Sequence, residues 1–395
     1  MRIREAGSMR TVEVDGMGIG DGHPPRIMSV LNMSPRSGFT DSVELRAERA
    51  AEMVDEELVP EGGEIIDVGL QSANPVYETE PEQVELERLE EAARVLDYVE
   101  SDTIFSIETR YASVAEEAIG YGFDIVNDVG GFADPEMKGV CEDHDVPVVK
   151  MASPPDVTRV GELKTIDDVF EALQRDGFTD KTIIDPAFGD FGDRTYEDNW
   201  EMLRRLSEFR AFGRPILTAT NREDFLGDLA GRHETDEQLA VSLASATIEV
   251  MRGAHVIRTH DTRTTRDVAQ VAHALRDERS SHRTDAEGGV TVTELPGVSP
   301  REAGRHFSIR ESVAGGPEDG ATLAFQVTDL PAELLDLVAT ASEEAGLALA
   351  SGDEDLFLAG DVASLRRFLD ELPTHADALT ELAGTVRLAV SRRTD

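Results

Sequence analysis

The stretch Gly253–Asp261, G-A-H-V-I-R-T-H-D, decides the fold. His255 to Thr259 is a short run with β-branched residues that reads as a buried strand, and it ends by releasing Arg258, His260 and Asp261 toward a loop. An apolar run that ends in a polar residue and precedes a helical segment recurs seven times upstream. The runs are 27–31, E-I-I-D-V at 64–68, T-I-F-S-I at 103–107, D-I-V-N at 124–127, V-P-V-V-K-M at 146–151, K-T-I-I-D at 181–185 and P-I-L-T-A at 215–219. Eight strand–helix units in about 250 residues predict an α/β fold, a TIM (β/α)8 barrel with the polar strand ends gathered on one face. A doubly wound open sheet is the competing arrangement, but it more often has five to seven strands around a switch point.

Composition bounds the rest. The chain has 395 residues, 40% apolar and 5% aromatic, with no apolar stretch long enough to span a bilayer. The N-terminus lacks a signal-peptide core, and the single cysteine, Cys141, cannot form an internal disulfide, so a cytoplasmic protein is expected. Asp and Glu number 80 against 38 Lys and Arg, a formal charge of -42. The acid is spread along the chain, which predicts a solvated surface suited to high salt. Nucleic acid and membrane are not expected partners, because no basic surface is apparent.

Residues 1–278 are read as the barrel with a lead-in, including a small hairpin around D-G-M-G-I-G-D-G. Residues 279–288, charged and rich in small side chains, are read as a linker. Residues 289–395 are read as a smaller C-terminal α/β domain, with a ferredoxin-like arrangement as one candidate. Its last element, V-R-L-A-V at 386–390, is read as a strand.

If the barrel closes, Asn32, Asp67, Glu108, Asn127, Lys150, Asp185, Arg258 and His260 share one rim. Taken singly, each is an ordinary turn or cap residue. Together they describe a cavity that needs a ligand, since buried carboxylates and amides require partners. Glu108, Asn127 and Asp185 suit a flat heterocycle with ring N–H, amino and carbonyl groups. Asn32, Arg258 and His260 suit an anion or a magnesium–anion pair, with Asn32 as the metal ligand. For His260 a strand-end cap is the alternative role.

At these residues the chain resembles the dihydropteroate synthase family of pterin-binding barrels over about Ile27 to Leu275. V-L-N-M-S-P-R-S-G-F-T-D-S, E-I-I-D-V-G-L-Q-S-A-N-P, S-I-E-T, I-V-N-D-V, I-I-D-P-A-F-G-D-F-G, T-N-R-E-D-F-L-G and V-I-R-T-H-D are similar to family motifs in the same order. The resemblance implies a transferase of folate biosynthesis that joins a dihydropterin pyrophosphate to p-aminobenzoate. Asn32 would help hold Mg2+, Asn127 and Asp185 would grip the pterin, and Arg258 with His260 would hold pyrophosphate. Glu108, Lys150 and Arg222 complete the expected ligand-binding set, and outer barrel helices would form a homodimer.

Several positions depart from the family pattern. Arg36 replaces an aspartate, and an extra residue enters near Gly38. Ala73-Asn74 replaces a Thr-Arg pair, Glu108 an aspartate, and Ala152 a histidine. Asn221-Arg222-Glu223 stands for a serine-arginine-lysine triplet, and Asp193 for a lysine. Arg36, Lys150, Arg194 and Arg222 are the candidates to re-supply positive charge. The alternative function is a pterin-binding protein without synthase activity that acts on or carries a one-carbon pterin, or regulates a partner.

Overall fold

Strands of a parallel sheet are covered on both faces, so they appear as near-continuous apolar runs rather than alternating ones. The computed structural model describes residues 11–36, 42–73, 77–189, 191–276, 280–283, 290–295, 298–314, 323–352, 355–373 and 376–392. Two short strands, β1 (Val12–Val14) and β2 (Met17–Ile19), form an antiparallel hairpin. Its turn puts Asp15 and Gly16 at φ +44° and +79°, the left-handed geometry that suits a two-residue hairpin turn. Eight parallel strands follow: β3 (Arg26–Asn32), β4 (Ile65–Gly69), β5 (Ile104–Thr109), β6 (Ile125–Asp128), β7 (Val148–Met151), β8 (Thr182–Asp185), β9 (Leu217–Thr218) and β10 (Val256–Thr259). They are hydrogen-bonded in the order β8-β7-β6-β5-β4-β3-β10-β9, and a bridge between Ile184 and Ile216 completes the ring.

The helices between strands are α1 (Ala47–Met53, continued by a π turn to Leu58), α2 (Glu82–Tyr98), α3 (Ala112–Tyr121), α4 (Met137–Asp143), α5 (Ile166–Gln174) and α6 (Tyr196–Arg204). Then come α7 (Asp224–Ala230), α8 (Leu239–Met251) and α9 (Thr262–Leu275). The expected (β/α)8 barrel is present, with α7 as an additional helix between β9 and β10. Alternation along the strands sets the interior. Met28, Ile65, Ile104, Ile125, Val149, Ile183, Leu217 and Val256 meet Val12, Val14 and Ile19 of the hairpin in one buried cluster. The hairpin therefore forms an apolar floor at the N-terminal ends of the strands. Further along the strands the interior turns polar. None of the described helices is long and apolar enough to cross a membrane.

The barrel unit comprises Thr11–Leu206 and Arg214–Arg276; a second unit takes in Ser207–Gly213 and the described residues after 277. Its sheet is wholly antiparallel, in the order β11 (Ser280–Arg283), β12 (Thr291–Glu294), β14 (Leu323–Thr328), β16 (Asp355–Gly360), β15 (Ala348–Ser351), β13 (Glu311–Ala314). Helices α11 (Leu335–Ala345), α12 (Val362–Glu371) and α13 (Asp377–Arg392) share one core with the face carrying Phe325, Val327 and Leu358. Helix α10 (Pro300–Ser308) packs its Ala303 and Phe307 with Ala324, Phe357 and Ala359 of the other face. A six-stranded order with helices against both faces of β14 and β16 differs from a four-stranded ferredoxin-like layer.

Two sequence readings are corrected here. The charged segment read as a linker contributes strand β11, which pairs with β12 at Ser281 and Thr293; residues 284–288 lie outside the described residues. The terminal V-R-L-A-V is helical. Leu379, Leu382, Ala383, Val386, Ala389 and Val390 are buried at three- and four-residue spacing, and that period outweighs the β-branched composition of five residues.

Candidate active site in the barrel mouth

The polar layer above the floor is organised by one arginine. Arg258 follows the inward-facing Val256 on β10. It donates from Nε to Asp67 Oδ2 at 2.7 Å and from Nη2 to Glu108 Oε2 at 2.5 Å. Neither bond uses Nη1. Asp67 follows Ile65 on β4 at the same two-residue interval, and Glu108 likewise follows Ile104 and Ser106 on β5. Asn127 on β6 donates from Nδ2 to Asp67 Oδ2 at 3.0 Å. Side chains from four strands thus join in one network around the Arg258–Asp67 pair, as the inward rows of a closed barrel allow.

Asp185 at the end of β8 completes the layer. Its Oδ1 accepts a 2.8 Å hydrogen bond from the backbone N–H of Ala187. Burial pushes its carboxyl up to about 7, against the backbone bond and the pull of Arg258 and Arg194. Burial also raises Glu108, with Arg258 opposing and Asp67 adding to the shift. Arg258 pairs with two of the three buried carboxyl groups, and Arg110 and Arg194 act on Glu108 and Asp185 at longer range. The layer is rich in acceptors, which suits a ligand rich in N–H donors. Asp67 Oδ1 is buried and accepts no hydrogen bond in the structure. An unsatisfied acceptor of this kind costs free energy until a donor arrives.

The other side of the mouth is built from the loops after β3, β9 and β10. Asn32 Nδ2 donates to Ser42 Oγ at 2.9 Å, and Ser42 Oγ lies 2.9 Å from His260 Nδ1. Asn32 Oδ1 would stand 3.2 Å from a Cβ added at Gly69, so glycine keeps that amide in place. Burial, helped by Arg258, lowers His260 to about 3, which makes it a neutral hydrogen-bonding group near pH 7. Asn221 accepts from the backbone N–H of His260 at 3.0 Å and donates to Asp261 at 2.9 Å. Glu223 brings its carboxylate beside Gly189, 3.4 Å from a Cβ placed there.

Of the expected residues, the structure brings Glu108, Asn127, Asp185 and Arg258 into one layer, with Asn32 and His260 joined through Ser42. Three others are corrected. Lys150 lies between the inward-facing Val149 and Met151 and therefore points to the helical layer. Its Nζ donates to the carbonyls of Leu173 and Gly177 at 3.0 Å each and to that of Arg175, closing the C-terminus of α5. Burial lowers it to about 8. Arg222 forms a two-pronged ion pair with Asp261, at 2.8 Å from both Nε and Nη2, and also reaches the Thr235 carbonyl. Against the effect of burial, the bonds from Arg222 and Asn221 hold Asp261 below the usual carboxylate range. Arg194 is buried against the carbonyls of Leu163, Ala187 and Gly161, where it fixes the loop after β8.

Arg36 is exposed, and its charge registers at Glu80. Asn74 and the insertion near Gly38 lie outside the described residues.

Sequence reasoning missed three buried groups around the mouth. Glu249 on α8 accepts from Thr218 Oγ1 and Ser245 Oγ, each at 2.6 Å, and from Thr220 Oγ1, which steadies the strand end carrying Asn221. Glu85 on α2 accepts from Thr109 Oγ1 at 2.6 Å and Gln71 Nε2 at 3.0 Å; burial pushes it up to about 7. Arg110, two residues after Glu108 and just past the end of β5, is 2% exposed. The signal for the first two was hydroxyl residues at outward strand positions facing a helical glutamate.

The barrel has relatives among known proteins. The family profile described as "Pterin binding enzyme" matches residues 28–260. Dihydropteroate synthase of Bacillus subtilis is 31% identical over 271 residues, covering 65% of this chain and 90% of that protein. Among solved structures, a dihydropteroate synthase from Coxiella burnetii in complex with pteroic acid superposes with a TM-score of 0.57 at 26% identity, over 68% of this chain and 98% of that one. The Thermus thermophilus enzyme in complex with 4-aminobenzoate gives 0.56 at 31% identity, over 67% and 100% respectively. The described residues after 277 lie beyond those the family profile matches.

Proposed function

Because this chain belongs to the pterin-binding enzyme family, we propose that it is a dihydropteroate synthase-like transferase of folate biosynthesis. In that reaction the amine of p-aminobenzoate attacks the methylene carbon of a dihydropterin pyrophosphate. The C–O bond to pyrophosphate breaks and the amine loses a proton. The observation that carries the reading is the buried acceptor Asp67 Oδ1 beside Asn127, Glu108 and Asp185. That donor-poor, acceptor-rich cavity suits the N–H edge of a pterin. The pteroic acid and 4-aminobenzoate bound by the Coxiella and Thermus relatives support the same ligand class.

Arg258 Nη1 and neutral His260 are the groups we assign to the pyrophosphate. Among the described residues no cluster of His, Cys, Asp and Glu could hold a metal ion, and Asn32 offers a single neutral oxygen. That donor set does not build a resident metal site. We therefore assign Mg2+ to the diphosphate substrate, with Asn32 as its one protein ligand.

One observation favours a second reading. Glu223 adds negative charge beside Gly189, and Arg222 is engaged by Asp261, so an incoming diphosphate meets little free cation there. Pterin binding without synthase activity, on or with a one-carbon pterin, is the reaction class left. Incubation with dihydropterin pyrophosphate, p-aminobenzoate and magnesium at high salt decides between them. Dihydropteroate formation supports the synthase, and pterin binding with no product supports the second reading.

We also propose a homodimer in the cytoplasm. Leu229 on α7, Ile248 and Met251 on α8, and Val271 and Leu275 on α9 are exposed apolar side chains, Leu275 at 73%. Helices α8 and α9 pack together, and apolar residues gathered on outer helices suit a self-association surface. Sedimentation of the wild type against Leu275→Glu tests this.

A further inference from the structure

We infer that Arg110 forms an oxyanion subsite between the loops that follow β4 and β7, for the carboxylate or phosphoryl group of the substrate pair. The inference rests on the pterin reading of the cavity below it. Arg110 is the residue after Thr109, whose hydroxyl turns outward to Glu85. It is the first residue past the end of β5, two after Glu108, and its guanidinium lies against the loops that carry Thr79 and Val157.

The partners of this guanidinium are poor. Nη1 reaches Thr79 Oγ1 at 3.5 Å and the Val157 carbonyl at 3.4 Å, both at the outer limit of a hydrogen bond. Nε is buried and has no acceptor. Among the described residues no carboxylate forms an ion pair with Arg110, although its charge is felt at Glu108 and Glu85. The contrast with Arg258 and Arg222, each paired with carboxylate oxygens below 3 Å, is direct.

A buried, always-charged side chain held by two long neutral contacts is costly to the folded protein unless another group completes it. A planar oxyanion fits the Nε–Nη edge in a two-pronged arrangement at about 2.8 Å. Thr79 also donates to the Thr158 carbonyl at 3.5 Å, so the two loops meet over Arg110 through weak bonds that an anion would replace.

Calorimetric titration of the full chain with pyrophosphate in one arm and 4-aminobenzoate in the other tests the inference. Each is run with and without saturating 6-hydroxymethylpterin, on wild type, Arg110→Gln and Arg110→Lys. The expected result is a roughly tenfold or greater loss of affinity in Arg110→Gln for one of the two anions, partly restored in Arg110→Lys. The arm that changes identifies the source of the oxyanion. Unchanged affinity for both anions, or no binding of either by the wild type, overturns the inference. Failure of the wild type to bind 6-hydroxymethylpterin would instead remove the pterin reading, and the arms without it still report on Arg110. Should both variants unfold on melting, wild-type crystals soaked with each anion give the answer. Density at the Arg110 guanidinium supports the subsite, and density only elsewhere overturns it.

Discussion

Asn127 and Asp67, sixty residues apart, share a 3.0 Å hydrogen bond to the same carboxylate oxygen that Arg258 holds at 2.7 Å. The crowding of two donors on Oδ2 leaves the buried Oδ1 without one. Asp67→Ala takes away one of the two carboxylates paired with Arg258 and the acceptor of Asn127, leaving the Glu108 pair, and is expected to cost about 1–3 kcal/mol of stability. Urea unfolding of the folded fraction measures this, and a cost near zero would mean that Arg258 finds solvent instead.

Asp185 gives the pH dependence. Its folded-state value of about 7 lies above the usual carboxylate value, so the folded protein holds more protons than the unfolded one in the window between them. The contribution to stability is complete at low pH and is lost as pH rises through about 7. Ligand binding should run the other way, since an ionised Asp185 is the better acceptor. Pterin affinity is expected to strengthen across that value in the wild type, and Asp185→Asn should flatten the profile with a loss of about tenfold. A variant with the wild-type pH profile would exclude Asp185 as the source.

Lys150→Met separates structure from binding. The substitution removes three bonds to carbonyls at the end of α5 but no group facing the cavity. Stability should fall by about 1–3 kcal/mol, while pterin affinity stays at the wild-type value. A selective loss of pterin affinity would restore Lys150 to the site.

Glu249→Ala leaves Thr218, Thr220 and Ser245 without their shared acceptor. The expected cost is about 2–4 kcal/mol, accompanied by disorder in the segment carrying Asn221 and Arg222. Hydrogen exchange at those amides reads the local effect apart from the global one.

A net charge of -42 sets the salt response. Raising KCl from about 0.1 M to about 1 M shortens the screening length from about 10 Å to about 3 Å. Melting temperature is expected to rise with salt over that range. A flat or falling curve would show that self-repulsion does not limit this fold.

The barrel and its polar layer were legible because strand alternation is local. Counting by two from Ile65, Ile104, Ile125, Ile183 and Val256 reaches Asp67, Glu108 (by way of Ser106), Asn127, Asp185 and Arg258. The same count excludes Lys150, but V-V-K-M is buried on both faces and offers no polar partner position by which to orient it. Arg222 was misread for a different reason. Its ion pair with Asp261 spans 39 residues and depends on how two loops meet, which no local pattern records. Glu249 sits in a helix whose sequence resembles any half-buried one; only Thr218 and Thr220 across the layer give it meaning. V-R-L-A-V shows the reverse error, where a five-residue window hid the period visible from Leu379 to Val390.

The hairpin floor of Val12, Val14 and Ile19 has a kinetic consequence. A barrel sealed at its base is a blind shaft, and molecules inside it cannot pass one another. On the two-substrate reading proposed above, the ligand that settles lower is expected to enter before its companion and depart after it, an ordered rather than a random sequence.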